Sequence, residues 1–461
     1  MQAGVPASLR ASALAVLLLC GCAAAPHPAG TPAAGPAPAA AASAATAGPR
    51  PAIDVIGVTH ADGRYSFTTT DYLNEGADAL LSLGTRIIKV WLTNQYRDVY
   101  PFHTDWPAVT TVAGLAATSP YARLFAKPFT TFIMETYEIP PVDWQDGLSA
   151  DEARNISGQF EELTAYLLTT YAGTGKTFVL QNWEADNALG RDPTPIAIQG
   201  MIDWANARQA GIEAARARVG GHGVTVAGAF EVNRISTGLS GPRAVNAVVP
   251  FVRADLYSYS NWESGATGAQ LERNLDYLRL KAPESALYGR DDIYMGEFGA
   301  PENLLGGERQ ALAQTRVQVE TALRWGVRYA VYWELYCNVP LPAFRGTGRP
   351  SNDDMSGYWL IRPDGSRTAS WDYLHRLLTR GRASGHLPPG VSGRTGPAQL
   401  FLVPRADAVQ DLEVLRRAIV RVGPFDGTET SAAVEERHLR EDASRERDAV
   451  GVLLRGGKDE P

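Results

Sequence analysis

Eight short apolar runs, each followed by a longer segment, leave this chain few folds to choose from. The runs are Ile53–Val58, Arg86–Leu92, Phe129–Met134, Phe178–Leu180, Val224–Ala229, Asp255–Ser260, Ile293–Met295 and Tyr329–Trp333. Helical period marks Tyr72–Leu83, Ala150–Tyr171, Ile196–Arg218, Gly268–Leu280, Glu308–Trp325 and Ala369–Thr379, with weaker helical segments near 105–125 and 242–249. Strands buried on both faces read as nearly unbroken apolar runs, and parallel neighbours need a crossover, usually a helix. Eight such units predict a closed (β/α)8 barrel over residues 53–381. An open doubly wound sheet is the alternative, but no GxGxxG turn follows the first run.

The flanks have another character. Arg10 precedes the apolar run Ala13–Leu19, which has the length of a secretory h-region and is too short for a permanent span. The sequence Leu19-Cys20-Gly21-Cys22 that follows resembles the lipobox of bacterial lipoproteins. That resemblance implies a signal peptide over 1–21, lipidation of Cys22 and, with Ala23 rather than Asp next, an outer-membrane location facing periplasm or surface. Residues 22–52 are almost wholly small residues and proline, a tether. Residues 382–461 are expected to be mostly disordered, with a small strand and helix conceivable at 399–422. With Cys20 removed and Cys22 lipidated, Cys337 is the remaining thiol, and the seven histidines show no ligand spacing, so no metal or other cofactor is called for. A net charge of −7 without a basic face argues against a nucleic-acid partner.

A barrel of this kind carries its chemistry at the C-terminal ends of its strands. The residues placed there include His60, Lys89, Trp91, Glu135, Asn182, Trp183, Glu184, Glu231, Asn233, Tyr259, Glu297, Trp333 and Glu334. Such a rim suits a polyhydroxylated ligand, with rings for sugar faces and polar groups for hydroxyls. Taken singly, Glu135, Glu231 or Glu334 reads as an ordinary salt-bridged group, and His60 as a structural histidine that its position keeps in play. Thr174-Gly175-Lys176-Thr177 is not a P-loop, since Thr170 stands where its first glycine belongs; a tight turn explains it.

Two stretches stand apart: Asn182-Trp183-Glu184 after the fourth run and Gly296-Glu297-Phe298-Gly299 after the seventh. Their glutamates face each other across an eight-membered ring, and glycoside hydrolysis needs two carboxyls so placed. On these motifs and their strand order the chain resembles the retaining glycoside hydrolases of clan A, such as families 5 and 39, over about residues 53–381. The resemblance implies Glu184 as acid/base and Glu297 as nucleophile of a double displacement on a β-linked polysaccharide or oligosaccharide. It also implies Trp333 as a sugar platform, Tyr259 as a hydrogen-bond partner of Glu297, and a basic residue on the second strand, Arg86 or Lys89. Asn182, Tyr259, Trp333, Asn233, Lys89 and His60 are the expected substrate-binding residues. One departure is visible: the family places Asn directly before the acid/base Glu, whereas here Trp183 intervenes. Either a bulge re-aims Glu184 or another group supplies the amide. At about 5–5.5 Å, Glu297 would raise the pKa of Glu184 by like-charge coupling. A transglycosidase using the same pair, and a non-catalytic carbohydrate-binding or polysaccharide-assembly lipoprotein, are the competing readings. The loops 137–150, 191–196 and 338–357, with Trp144, are candidates for the cleft walls.

Overall fold

The computed structural model describes residues 50–235, 242–263 and 267–380. Cys22, the signal peptide, the tether before residue 50 and the tail with its 399–422 segment lie outside the described residues. Strands β1 (Ile56–Thr59), β2 (Ile87–Leu92), β3 (Thr131–Thr136), β4 (Thr177–Gln181), β5 (Thr225–Val232), β6 (Leu256–Ser260), β7 (Ile293–Phe298) and β8 (Ala330–Tyr332) form a closed parallel barrel in sequence order. Pairing of Gly57 with Val331 closes the ring between β1 and β8.

Strand alternation sorts the side chains into two cores. Ile87, Ile133, Val179, Ala227, Leu256, Tyr294 and Val331 form an apolar plug that fills the barrel interior. Their neighbours Ile88, Phe132, Phe178, Val226, Tyr257, Met295 and Ala330 join the layer that contains the covering helices. The strands outrun the apolar segments that announce them: β3 continues through Glu135, β4 through Gln181, β5 through Glu231 and β7 through Glu297. Only backbone groups make the ladder, so polar residues extend it wherever their side chains find partners. At the other end of the prediction, Ala52–Asp54 is a 3-10 turn rather than the start of β1.

The helices Tyr72–Leu83, Glu308–Trp325 and Ala369–Thr379 have the bounds their periodicity predicts. Local signals explain the starts: Ser149 and Glu152 form a reciprocal capping box before Ala150, and Thr194 caps a helix whose first residue is Pro195. The region 105–125 breaks into two short helices, Val112–Ala116 and Ser119–Ala126. Gly173 and Gly175 both take positive φ, in keeping with a turn before β4.

The long helices Ala150–Thr170 and Pro195–Val219 touch backbone to backbone at Gly211, where a Cβ would lie 2.2 Å from the Ser157 carbonyl oxygen. On the same pair of helices, Gly158 has nothing within 4 Å of its Cβ position. Alanine at these two sites is therefore expected to act with opposite sign: Gly211→Ala loses about 1–3 kcal/mol through overpacking, and Gly158→Ala gains up to about 1 kcal/mol of helix propensity. Denaturant midpoints measured on the two variants check both signs.

Candidate active site

One step above the apolar plug, the same inward parity delivers Lys89, Glu135, Gln181, Glu231 and Ser258, all 0% exposed. The Lys89 ammonium lies 2.7 Å from Glu135, 2.8 Å from Glu297 and 3.7 Å from Glu231. Gln181 donates to Glu135 at 2.7 Å and to Glu231 at 3.0 Å, and its own carbonyl accepts the Tyr294 hydroxyl. Ser258 donates to Glu231 at 2.6 Å. Three carboxyls against one cation do not balance, and burial decides where protons stay. It pushes Glu231 up to about 8 and raises Glu135 as well, with Lys89 opposing both shifts. Burial would by itself lower Lys89, but the surrounding carboxylates outweigh it and hold the ammonium well above its ordinary value. Glu135, Glu231 and Glu297 come within metal-binding reach of one another, yet Lys89 already stands among them and supplies the positive charge.

Glu297 reaches this floor because β7 bulges. The register shifts between Tyr259 and Ser260 on the β6 side and between Met295 and Phe298 on the β8 side. Gly296 permits it: a Cβ there would sit 2.0 Å from Ser258 Oγ and 2.1 Å from Glu231 Oε2.

Glu184 arrives by a different device. Asn182 extends the ladder with its side chain, accepting from the Glu231 amide at 3.0 Å and donating to the Glu231 carbonyl at 3.1 Å. The Trp183 amide donates to the Tyr137 hydroxyl at 2.9 Å. Glu184 then adopts φ 27° and ψ 73°, a left-handed conformation that costs a non-glycine residue roughly 1–3 kcal/mol. An extended residue there would point to the same side as Asn182; the left-handed turn redirects the carboxylate inward and so offsets the inserted Trp183. No register shift interrupts the pairing of β4 with β5. Glu184 Oε2 accepts from Asn233 at 3.1 Å and from Asn187.

Ser260 joins the two ends. Its Oγ lies 2.6 Å from Glu184 Oε1 and 3.1 Å from Glu297 Oε2, so these carboxylate oxygens stand no farther apart than the two contacts laid end to end. Half-buried rings lie at the strand ends: Trp333, just after β8, meets Trp91 of β2 edge-on at 5.6 Å, and Trp262, just after β6, meets Tyr358 at 5.5 Å.

The residues singled out in the sequence take these places in the structure. Tyr259 turns to the helix side of the sheet, where its hydroxyl accepts from Asn274 at 2.8 Å, and Ser260 takes the place beside Glu297. Asn182 spends its amide on the β5 backbone. His60 is enclosed by Tyr72, Tyr100 and Tyr336 with Nε2 2.7 Å from the Tyr72 carbonyl, and burial lowers it to about 4, which makes it a neutral packing group. Lys89 lies beneath Glu297 rather than on the open rim. Asn233 is in the site, but its amide holds Glu184. Trp144 packs on Trp204 at 6.3 Å instead of walling a cleft. Glu334 is buried, with Oε1 accepting from the Asn338 amide at 2.8 Å. Sequence reasoning missed Ser260 and Gln181; the alternation Tyr257-Ser258-Tyr259-Ser260 offers two faces, and large rings draw attention to the wrong one.

No protein-family model matches the chain, and neither does any curated protein. Solved structures do. A GH5_18 variant from Streptomyces cattleya in complex with Manβ1-4GlcNAc matches 72% of this chain and 82% of its own at 13% identity and TM-score 0.48. A GH5-4 broad-specificity endoglucanase from Clostridium longisporum matches 72% of this chain and 99% of its own at 12% identity and TM-score 0.45. A GH39 β-xylosidase from Caulobacter crescentus matches 72% of this chain and 72% of its own at 14% identity and TM-score 0.41. At such identities the likeness is one of fold.

Removing the central cation tests the floor of the site. Lys89→Met strands buried carboxylates and is expected to cost about 3–5 kcal/mol of stability. Equilibrium unfolding of the variant measures it; a loss below about 1 kcal/mol would mean that the carboxyls do not depend on the ammonium.

Proposed function

We propose that this chain is a retaining β-glycoside hydrolase in which Glu297 is the nucleophile and Glu184 the acid/base. The observation that carries the reading is the Ser260 hydroxyl held between the two carboxylates. The span it bridges suits the roughly 5–5.5 Å of a double displacement and falls short of the roughly 6.5–9.5 Å that leaves room for a water in an inverting site.

The steps follow from the contacts. Glu297 attacks the anomeric carbon while Glu184 passes a proton to the departing glycosidic oxygen, and a glycosyl ester forms on Glu297. Water then enters, Glu184 takes its proton, and the new bond to the anomeric carbon releases Glu297. Lys89 and Ser260 fix one oxygen each of Glu297. Asn233, Asn187 and Ser260 fix Glu184. Trp333 and its partner Trp91 offer an apolar face beside the reacting centre for a sugar ring. A polysaccharide or oligosaccharide outside the cytoplasm is the substrate class proposed, with Cys22 as lipid anchor, on the strength of the lipobox resemblance.

A 2-deoxy-2-fluoro-β-glycosyl fluoride panel tests the chemistry: the expected result is a covalent adduct on Glu297 in peptide mass spectra. Glu184→Gln is expected to lose about 10²–10⁴-fold in turnover of poor-leaving-group substrates. A label on another residue, or undiminished turnover in Glu297→Gln, overturns the assignment. An added alcohol acceptor separates transfer from hydrolysis. For the anchor, Cys22→Ser is expected to move the protein from the membrane fraction to the soluble fraction of a bacterial host; an unchanged distribution overturns it.

A further inference from the structure

We propose that Glu231 is a positioning residue for the acid/base carboxylate, anchoring the left-handed turn that aims Glu184 into the site. This rests on the glycosidase reading above for its consequence, but not for its geometry. Glu231 is 0% exposed, so its carboxyl is sealed from the cleft. Its contacts grip the segment 182–184 from three sides: its backbone amide and carbonyl hold the Asn182 side chain, and its Oε1 accepts the Glu184 amide at 3.4 Å. Its Oε2 is fixed in turn by Ser258, Gln181 and Lys89. A residue at φ 27° persists only where its surroundings over-determine it, and the Glu231 side chain meets its backbone amide. Glu297 takes no positive φ and needs no such anchor for its backbone, and its carboxylate is held by Lys89 and Ser260. Loss of Glu231 therefore falls chiefly on the acid/base half of the reaction.

The groups facing the Glu231 carboxyl are Lys89 from β2, Glu135 from β3, Gln181 and the Glu184 amide from the β4 end, Ser258 from β6, and Glu297 and Tyr294 from β7. In this company the buried carboxyl keeps its proton up to about pH 8. An amide is its near mimic in that state.

Aryl β-glycosides read the inference. With Glu231→Ala, turnover of a phenyl glycoside, which needs protonation of its leaving oxygen, is expected to fall about 10²-fold, and that of a 2,4-dinitrophenyl glycoside, which does not, less than about tenfold. Glu231→Gln is expected to recover most of the loss. Equal losses on both substrates, or no recovery by Gln, overturn the inference. Hydrogen exchange of the peptide 181–187 gives an independent reading: faster in Glu231→Ala, near wild type in Glu231→Gln, and unchanged in both if the inference is wrong. Should the wild type hydrolyse no glycoside, the glycosidase reading falls while the exchange experiment still decides the hold on Glu184. The folded carboxyl titrates above its unfolded value, so its stabilising protonation is complete below about pH 4.5 and lost as pH rises through 8.

Discussion

The ammonium of Lys89 is the interaction on which the site depends. Taking a charge out of water into the centre of a barrel is costly, and several kcal/mol per ion must be offset by partners with good geometry. Lys89 finds them in Glu135 at 2.7 Å and Glu297 at 2.8 Å, and those carboxylates in turn require Gln181 and Ser260. Each requirement passes outward one shell. The polar floor is thus built as a unit, and no member can be exchanged for an apolar residue without leaving another buried group unsatisfied.

Below that floor the interior is ordinary. The apolar plug from Ile87 to Val331 makes few demands beyond volume, and it is there that sequence reading works well. Strand number, strand order and the long helices follow from periodicity, because burial on a period of two or 3.6 residues is a constraint the composition itself must satisfy. The pair Glu184 and Glu297 was legible for the same reason: strand ends can be counted, and carboxylates at two of them are conspicuous.

What escaped was parity. Alternation assigns a face only while the backbone stays extended, and this site depends on two departures from it. Gly296 bulges β7 so that Glu297 follows an inward-facing residue inward, and Glu184 turns left-handed after Trp183. Neither event changes composition, so neither leaves a periodic trace. Tyr259 and Asn182, by contrast, keep plain alternation and lie on the face opposite to Ser258, Ser260 and Gln181, where the ring meets Asn274 and the amide meets the β5 backbone. His60 is read from the sequence as a structural histidine kept in play by its strand-end position, and the three tyrosines that enclose it are brought together only by the fold.

Ser260 has one hydrogen for two acceptors. It can donate to Glu184 or to Glu297 but not to both, so the orientation of a single rotor is tied to which carboxyl holds the proton. In the proposed double displacement, a protonated Glu184 donates to Oγ and the serine donates onward to Glu297; once Glu184 has given its proton away and Glu297 is esterified, the same hydroxyl is free to swing back. A side chain of two heavy-atom contacts would then keep step with the catalytic cycle, satisfying whichever oxygen is anionic at each stage without any movement of the backbone.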